Sequence, residues 1–211
     1  MSTYSAVIFD LGGVVFASPF DAFDSYDQRS GFPIGTTRGI IRSSSETGAW
    51  AALERGELTQ AQFHDALNAE GLTVGFAIDA ARIMTTIGEG AGARPEMLSA
   101  IEKLREHGFK VGALTNNWAN EQGDTTPSGL HELNIFHAVI ESAKVGLRKP
   151  DPRIYELACE TLNVSPHDTV FLDDLGINLK PARAMGMRTV KVANPTDALR
   201  ELSALVGLDL V

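Results

Sequence analysis

The chain has 211 residues, 44% hydrophobic and 21% charged. That suffices for one well-filled core, or a core with a small insert, and is not the composition of a disordered or fibrous chain. With 18 basic against 27 acidic residues the net charge is −9, so a nucleic-acid partner is not expected; no apolar run approaches the roughly 20 residues that span a bilayer, so no membrane partner is expected either.

The opening MSTYS lacks the basic start of a secretory leader, and the single cysteine, Cys159, rules out an intrachain disulfide. Both features suit a cytoplasmic location. Residues 4–9 (YSAVIF) form a short apolar run that stops at Asp10. Runs of the same kind recur at 109–114 (FKVGAL), 137–140 (HAVI), 168–172 (DTVFL) and 188–192 (RTVKV), and each reads as a buried strand of a parallel sheet.

Between the first two strands, residues 17–88 break the rhythm. Helices are predicted there over 46–55, 59–70 and 76–87. The second opens with Thr59 and Gln62 in capping-box spacing, sets Phe63, Ala66 and Leu67 on one face, and is expected to stop at Gly71. This stretch is read as an α-helical cap, with Trp50 and Phe63 in its own core. Residues 1–16 and 89–211 then make the main domain, joined to the cap near 15–19 and 88–93, where Pro and Gly suit hinges.

Further along, residues 95–106 start on Pro95 and place Met97, Ile101 and Leu104 on one helical face. Helices are also predicted over 151–162, 176–185 and 195–206. Cys159, beside Leu157, Ala158 and Leu162, reads as a small buried hydrophobe. Strands alternating with helices imply an α/β fold, a Rossmann-like doubly wound parallel sheet with right-handed crossovers.

Such sheets bind ligands at the carboxyl ends of their strands. Asp10, Leu11, Gly12 and Gly13 follow the first strand; Thr115, Asn116 and Asn117 the second; Lys149 the third; Asp173, Asp174 and Asn178 the fourth. Three carboxylates at one edge repel one another. Raised pKa values, Lys149 or a divalent cation can relieve this, and oxygen-only ligands suit a hard ion such as Mg²⁺.

Four pieces in this order (FDLGGV, LTNN, RKPDP and FLDD) resemble the haloacid dehalogenase (HAD) superfamily of phosphotransferases, a likeness that spans nearly the whole chain. Residues 146–192 further resemble the N-terminal phosphatase domain of soluble epoxide hydrolases and the related domain of an acyl-CoA dehydrogenase fusion, and the helical insert resembles the C1-type cap. The resemblance implies a hydrolase, a phosphatase acting on a small phosphorylated substrate, as a monomer or homodimer. At the matching positions it makes Asp10 the nucleophile that forms an aspartyl-phosphate. Asp10, the Gly12 carbonyl and Asp174 would hold Mg²⁺, with Asp173 helping through water or Lys149. Thr115 and Asn116 would bind phosphoryl oxygens, and Lys149 would offset charge on nucleophile and substrate.

One departure stands out. Many phosphatases of this superfamily carry a second aspartate two residues after the nucleophile, as general acid and base; here that place is Gly12. His64, Glu54, Asn116 or the substrate itself remain open for that role. The gap also leaves open a weakly active or non-catalytic phosphate-binding module. A metal-independent haloacid dehalogenase is a third reading, against which the Asp173–Asp174 pair and the lack of an aromatic residue after Asp10 both argue. Trp118 is read either as lining the pocket or as packing under the cap, and Arg148 either as aiding an anionic substrate or as pairing at the surface.

Overall fold

The computed structural model describes residues 4–90, 92–120 and 134–211. Five strands, β1 (Ala6–Phe9), β2 (Lys110–Thr115), β3 (Ala138–Glu141), β4 (Thr169–Asp173) and β5 (Arg188–Lys191), form one parallel sheet in the order β3-β2-β1-β4-β5. The chain winds outward from β1 through β2 to β3, then returns to the other side of β1 for β4 and β5. The order therefore reverses between β1 and β4, where a doubly wound sheet opens a crevice at its carboxyl edge.

Helices cover both faces of the sheet. On one face Val7, Phe9, Val111, Val170 and Leu172 pack against α6 (Pro95–Glu106) and α10 (Pro195–Val206). On the other, Ile8, Leu114 and Phe171 pack against α8 (Pro152–Leu162), which follows the short α7 (Ser142–Val145), and α9 (Gly176–Ala184). The alternation is the period of two of a pleated strand, and it explains why these strands read as continuous apolar runs: both faces are buried. Each buried Phe or Leu contributes about 1.5–3 kcal/mol.

The second, third and fourth strands end one residue later than their apolar runs. Thr115 still pairs with Glu141, and Asp173 with Lys191. The backbone ladder is indifferent to side-chain polarity, so the polar residues sit on the last rung of the sheet rather than in loose loops.

Among the described residues between β1 and α6 lie the α-helices α1 (Pro19–Arg29), α2 (Thr36–Ser44), α3 (Ala49–Glu54), α4 (Gln60–Thr73) and α5 (Ala80–Glu89). They share a separate cluster that includes Phe23, Tyr26, Trp50, Leu53, Phe63, Leu67 and Ile83. The Thr59–Gln62 capping box forms as expected. Gly71 does not stop α4, however. The helix runs on to Thr73, and a Cβ at Gly71 would lie 2.7 Å from both Ile78 and the Phe76 carbonyl. Glycine serves here to let the returning chain approach, and the reversal falls on Gly75 at φ +87°. The helix expected over 46–55 opens as a tight turn at Ser45–Thr47 before α3, and the one expected over 76–87 starts only after Asp79, whose side chain caps it.

Two contacts tie the insert's connections to the sheet. Phe16 and Ala93 form an antiparallel bridge, and Arg94 Nη1 donates to the carbonyls of Gly13 (2.6 Å) and Val14 (2.9 Å). Among the described residues no helix is long and apolar enough to cross a membrane.

Candidate active site

Asp10 N–H donates to the Leu172 carbonyl at 2.9 Å, which carries the β1–β4 ladder one residue past the strand and sets Asp10 beside Asp173 at the reversal of strand order. The chain then coils tightly through Leu11–Val15, closed by the Phe16 N–H on the Leu11 carbonyl. Within the coil, Gly13 has φ +79°, and a Cβ there would stand 2.3 Å from Asp174 Oδ2. A side chain at 13 and the Asp174 carboxylate exclude each other. Gly12 differs: it has φ −67°, and a Cβ would meet only Pro19 Cδ, at 3.6 Å.

Lys149 is 1% exposed, with Nζ 2.8 Å from Asp10 Oδ1 and 2.7 Å from Asp173 Oδ2. Burial works against its charge, but Asp10 and Asp173 outweigh it and hold the amine above its ordinary pKa. Asp173 is further oriented by Asn178 Nδ2, 3.1 Å from each carboxylate oxygen, and by the Leu175 N–H at 2.8 Å. Asp10 also accepts from the Leu11 N–H at 2.6 Å.

The three carboxylates of Asp10, Asp173 and Asp174 each offer an oxygen within 4.8 Å of the others. One lysine does not balance them. Burial, with Asp173 and Asp174 adding to it and Lys149 opposing, raises the Asp10 pKa well above the carboxylate range. Burial and the charge on Asp173 push Asp174 up to about 6. An all-oxygen donor set with surplus negative charge, its third carboxylate admitted only because residue 13 has no Cβ, fits a hard divalent cation such as Mg²⁺.

Thr115 is buried on the last rung of β2, at the floor of a cleft of about 670 Å³. Gly12, Thr115 and Trp118 line one side of that cleft, and Pro19, Met84 and Ile87 of the insert line the other. Trp118 does both things expected of it: it lines the cleft and packs edge-to-face on Trp50 at 5.6 Å. The Asn116 side chain clamps the main chain of Lys149. Its Oδ1 accepts from Lys149 N–H (2.8 Å), and its Nδ2 donates to the Lys149 carbonyl (3.0 Å).

Arg148 pairs with Glu54 and Glu46 of the insert. Cys159 is buried, and burial pushes its thiol up to about 11, which does not suit a nucleophile. Two contributors were not singled out from sequence: Arg94, which pins the coil carrying Gly13, and the junction of Glu54 with Arg148. Both depend on contacts between residues 80 or more positions apart, for which a single sequence carries no signal.

Residues 4–186 match the family of haloacid dehalogenase-like hydrolases. The chain is 34% identical to mouse acyl-CoA dehydrogenase family member 10 over 99% of its length and 20% of that protein. It is 33% identical to mouse bifunctional epoxide hydrolase 2, over 94% of this chain and 38% of the relative. It thus spans a fifth to two fifths of these mammalian relatives. It is also 30% identical to the sesquiterpene phosphatase astK of Aspergillus oryzae, over 98% of both chains. An HAD-family enzyme of Bacteroides thetaiotaomicron, solved with magnesium and inorganic phosphate, shares the fold with a TM-score of 0.61 at 23% identity, over 89% of this chain and 93% of that one.

Proposed function

The chain belongs to the haloacid dehalogenase-like hydrolases, and from that premise we propose that it is a Mg²⁺-dependent phosphatase that hydrolyses a small phosphomonoester through Asp10. The observation that carries this reading is the corner at the β1–β4 reversal: a buried carboxylate held by a buried lysine, with two further carboxylates within 4.8 Å.

In the proposed reaction an Asp10 carboxylate oxygen attacks phosphorus in line as the bond from phosphorus to the alcohol oxygen breaks. Water then attacks the aspartyl-phosphate and releases inorganic phosphate and the Asp10 carboxylate. Lys149 offsets charge on Asp10 and on the incoming phosphate. The Thr115 hydroxyl and the Asn116 main-chain N–H bind the equatorial oxygens. Mg²⁺, when bound, supplies the positive charge that lets a phosphate dianion approach a carboxylate. Asp10, Asp174 and the Gly12 carbonyl would hold it, with Asp173 acting through Lys149 or water.

The leaving oxygen must gain a proton. Glu54 is tied to Arg148 and Asn116, the Asn116 side chain is engaged by the Lys149 main chain, His64 is not among the residues lining the cleft, and Gly12 offers no side chain. The proton therefore comes from solvent or substrate, and esters of acidic alcohols should react fastest. We assign residues 17–88 the part of a cap that shapes the leaving-group pocket. The cleft presents Leu11, Phe16, Met84, Ile87 and Trp118 beside Asp21, Arg29 and Glu89; its apolar part, with the likeness to a sesquiterpene phosphatase over 98% of both chains, supports an alcohol with a largely hydrocarbon body.

The test is phosphate release from p-nitrophenyl phosphate with Mg²⁺. Activity should vanish on chelation and fall about 10³-fold or more in Asp10→Asn. Full activity in that variant would refute the covalent route.

A further inference from the structure

The Glu54 carboxylate, at the end of α3 in the insert, is buried and accepts three hydrogen bonds. Trp50 Nε1, on the same helix, donates to Oε1 at 2.8 Å. Arg148 Nε donates to Oε2 at 2.7 Å, and Asn116 Nδ2 donates to Oε2 at 3.3 Å. The last two donors belong to the sheet-edge loops after β2 and β3. Asn116 in turn grips both main-chain polar groups of Lys149, whose Nζ lies between Asp10 and Asp173. A continuous set of bonds therefore runs from an insert helix, through one asparagine, to the cation beside the nucleophile. The Glu54–Arg148 pair is only 9% and 16% exposed, whereas Glu46, the other partner of Arg148, is 55% exposed. Water screens the outer pair, whereas removing one partner of the inner one leaves a buried charge uncompensated. Close backbone approach locks the same junction: Gly56 lies at φ +71°, and a Cβ there would stand 2.5 Å from the Ala143 carbonyl.

We propose that Glu54 is a positioning residue that latches the insert onto the sheet edge and, through Asn116, sets Lys149 against Asp10. Its kinetic consequence rests on the phosphatase reading above; its structural consequence does not. An error of about 1 Å in placing a catalytic group costs on the order of 100-fold in rate. Because Asn116 and Lys149 act on the reacting phosphoryl group, the loss should fall on kcat more than on KM.

The chain's two tryptophans, Trp50 and Trp118, meet edge-to-face across this junction, so they report on it directly. The experiment compares wild type, Glu54→Ala, Glu54→Gln and the exposed control Glu46→Gln. Readouts are kinetics with p-nitrophenyl phosphate and Mg²⁺, tryptophan emission with near-ultraviolet circular dichroism, and thermal unfolding. Glu54→Ala should lose about 10- to 100-fold in kcat with KM changed less than about 3-fold, and should shift the tryptophan signals. Glu54→Gln keeps the shape and an acceptor oxygen, secures a folded variant, and should fall between wild type and Glu54→Ala. Glu46→Gln should stay within about 2-fold of wild type. A folded Glu54→Ala or Glu54→Gln protein with wild-type kcat overturns the proposal, as does a loss confined to KM. If the wild type releases no phosphate, the phosphatase reading fails by itself. The tryptophan signals of Arg148→Gln, which leaves the Trp50–Glu54 bond in place, then decide the latch: a shift supports it, and unchanged signals overturn it.

Discussion

The two walls that flank the coil at Gly12 and Gly13 obey different constraints. On the sheet side three carboxylates and a lysine are crowded so closely that residue 13 has no room for a methyl group. On the insert side, Gly12 faces α1 across an ordinary van der Waals gap of 3.6 Å, and the cleft behind it holds about 670 Å³. Charge and register define the first wall; apolar packing and open space define the second. The two glycines are neighbours in sequence, and only their positions relative to these walls tell them apart.

The crowded wall breaks most easily. Gly13→Ala forces a side chain into φ +79° and onto the Asp174 carboxylate, so Asp174 must leave its place. Mg²⁺-dependent turnover should fall about 100-fold or more, and the Mg²⁺ concentration needed for half-maximal rate should rise, as a metal titration of initial rates would register. Retained metal affinity would mean that Asp174 does not need the space beneath it.

The open wall should instead accept an addition. Gly12→Asp places a carboxyl where the resemblance puts a general acid and base, in a backbone conformation (φ −67°, ψ 126°) that any residue adopts. Hydrolysis of an alkyl phosphate, whose leaving alkoxide needs a proton, should rise about 10- to 100-fold. Hydrolysis of p-nitrophenyl phosphate, whose leaving group does not, should change little. Equal gains on both substrates would show that the new side chain acts otherwise than as an acid.

The smallest effect concerns charge alone. The folded-state pKa of Asp174 is pushed up to about 6 from the ordinary 3.8 by burial and by Asp173. Between those values the folded protein binds more protons than the unfolded chain, so its stability falls as pH rises through that window and the full penalty applies above it. In metal-free protein, Asp174→Asn should therefore melt higher than wild type at pH 7, with the difference shrinking toward pH 4, as scanning calorimetry across that range would reveal. Mg²⁺ should raise the wild-type transition and leave that of the variant nearly fixed. A pH-independent difference would mean that the carboxylate carries no such penalty.

The residues of the sheet edge were legible because strand periodicity and strand ends are local properties. An apolar run that stops at Asp10, Thr115 or Asp173 already says which residue stands at the carboxyl edge, and the order of the four motifs says which edges meet. The insert was legible as helical but not in its parts. α1 and α2 are short and each bury only two or three side chains, one of them polar (Asp27 and Thr37), and Gly71 reads as a stop although the returning chain packs against it. Glu54, one of the groups left open as a proton donor, lies buried against Arg148 and Asn116, contacts that no local pattern reveals.

Composition and periodicity thus determined, without coordinates, a doubly wound α/β fold whose acids gather at one sheet edge, and the likeness of four ordered motifs to a known family implied a hydrolase, because each of these is written in short windows of residues. Only the tertiary structure decided that Gly13 makes room for Asp174 while Gly12 stands open, that Asn116 holds the Lys149 backbone, and that one glutamate ties the insert to both loops. These are matters of which distant groups share a few cubic ångströms, and close packing settles them only when the whole chain is folded.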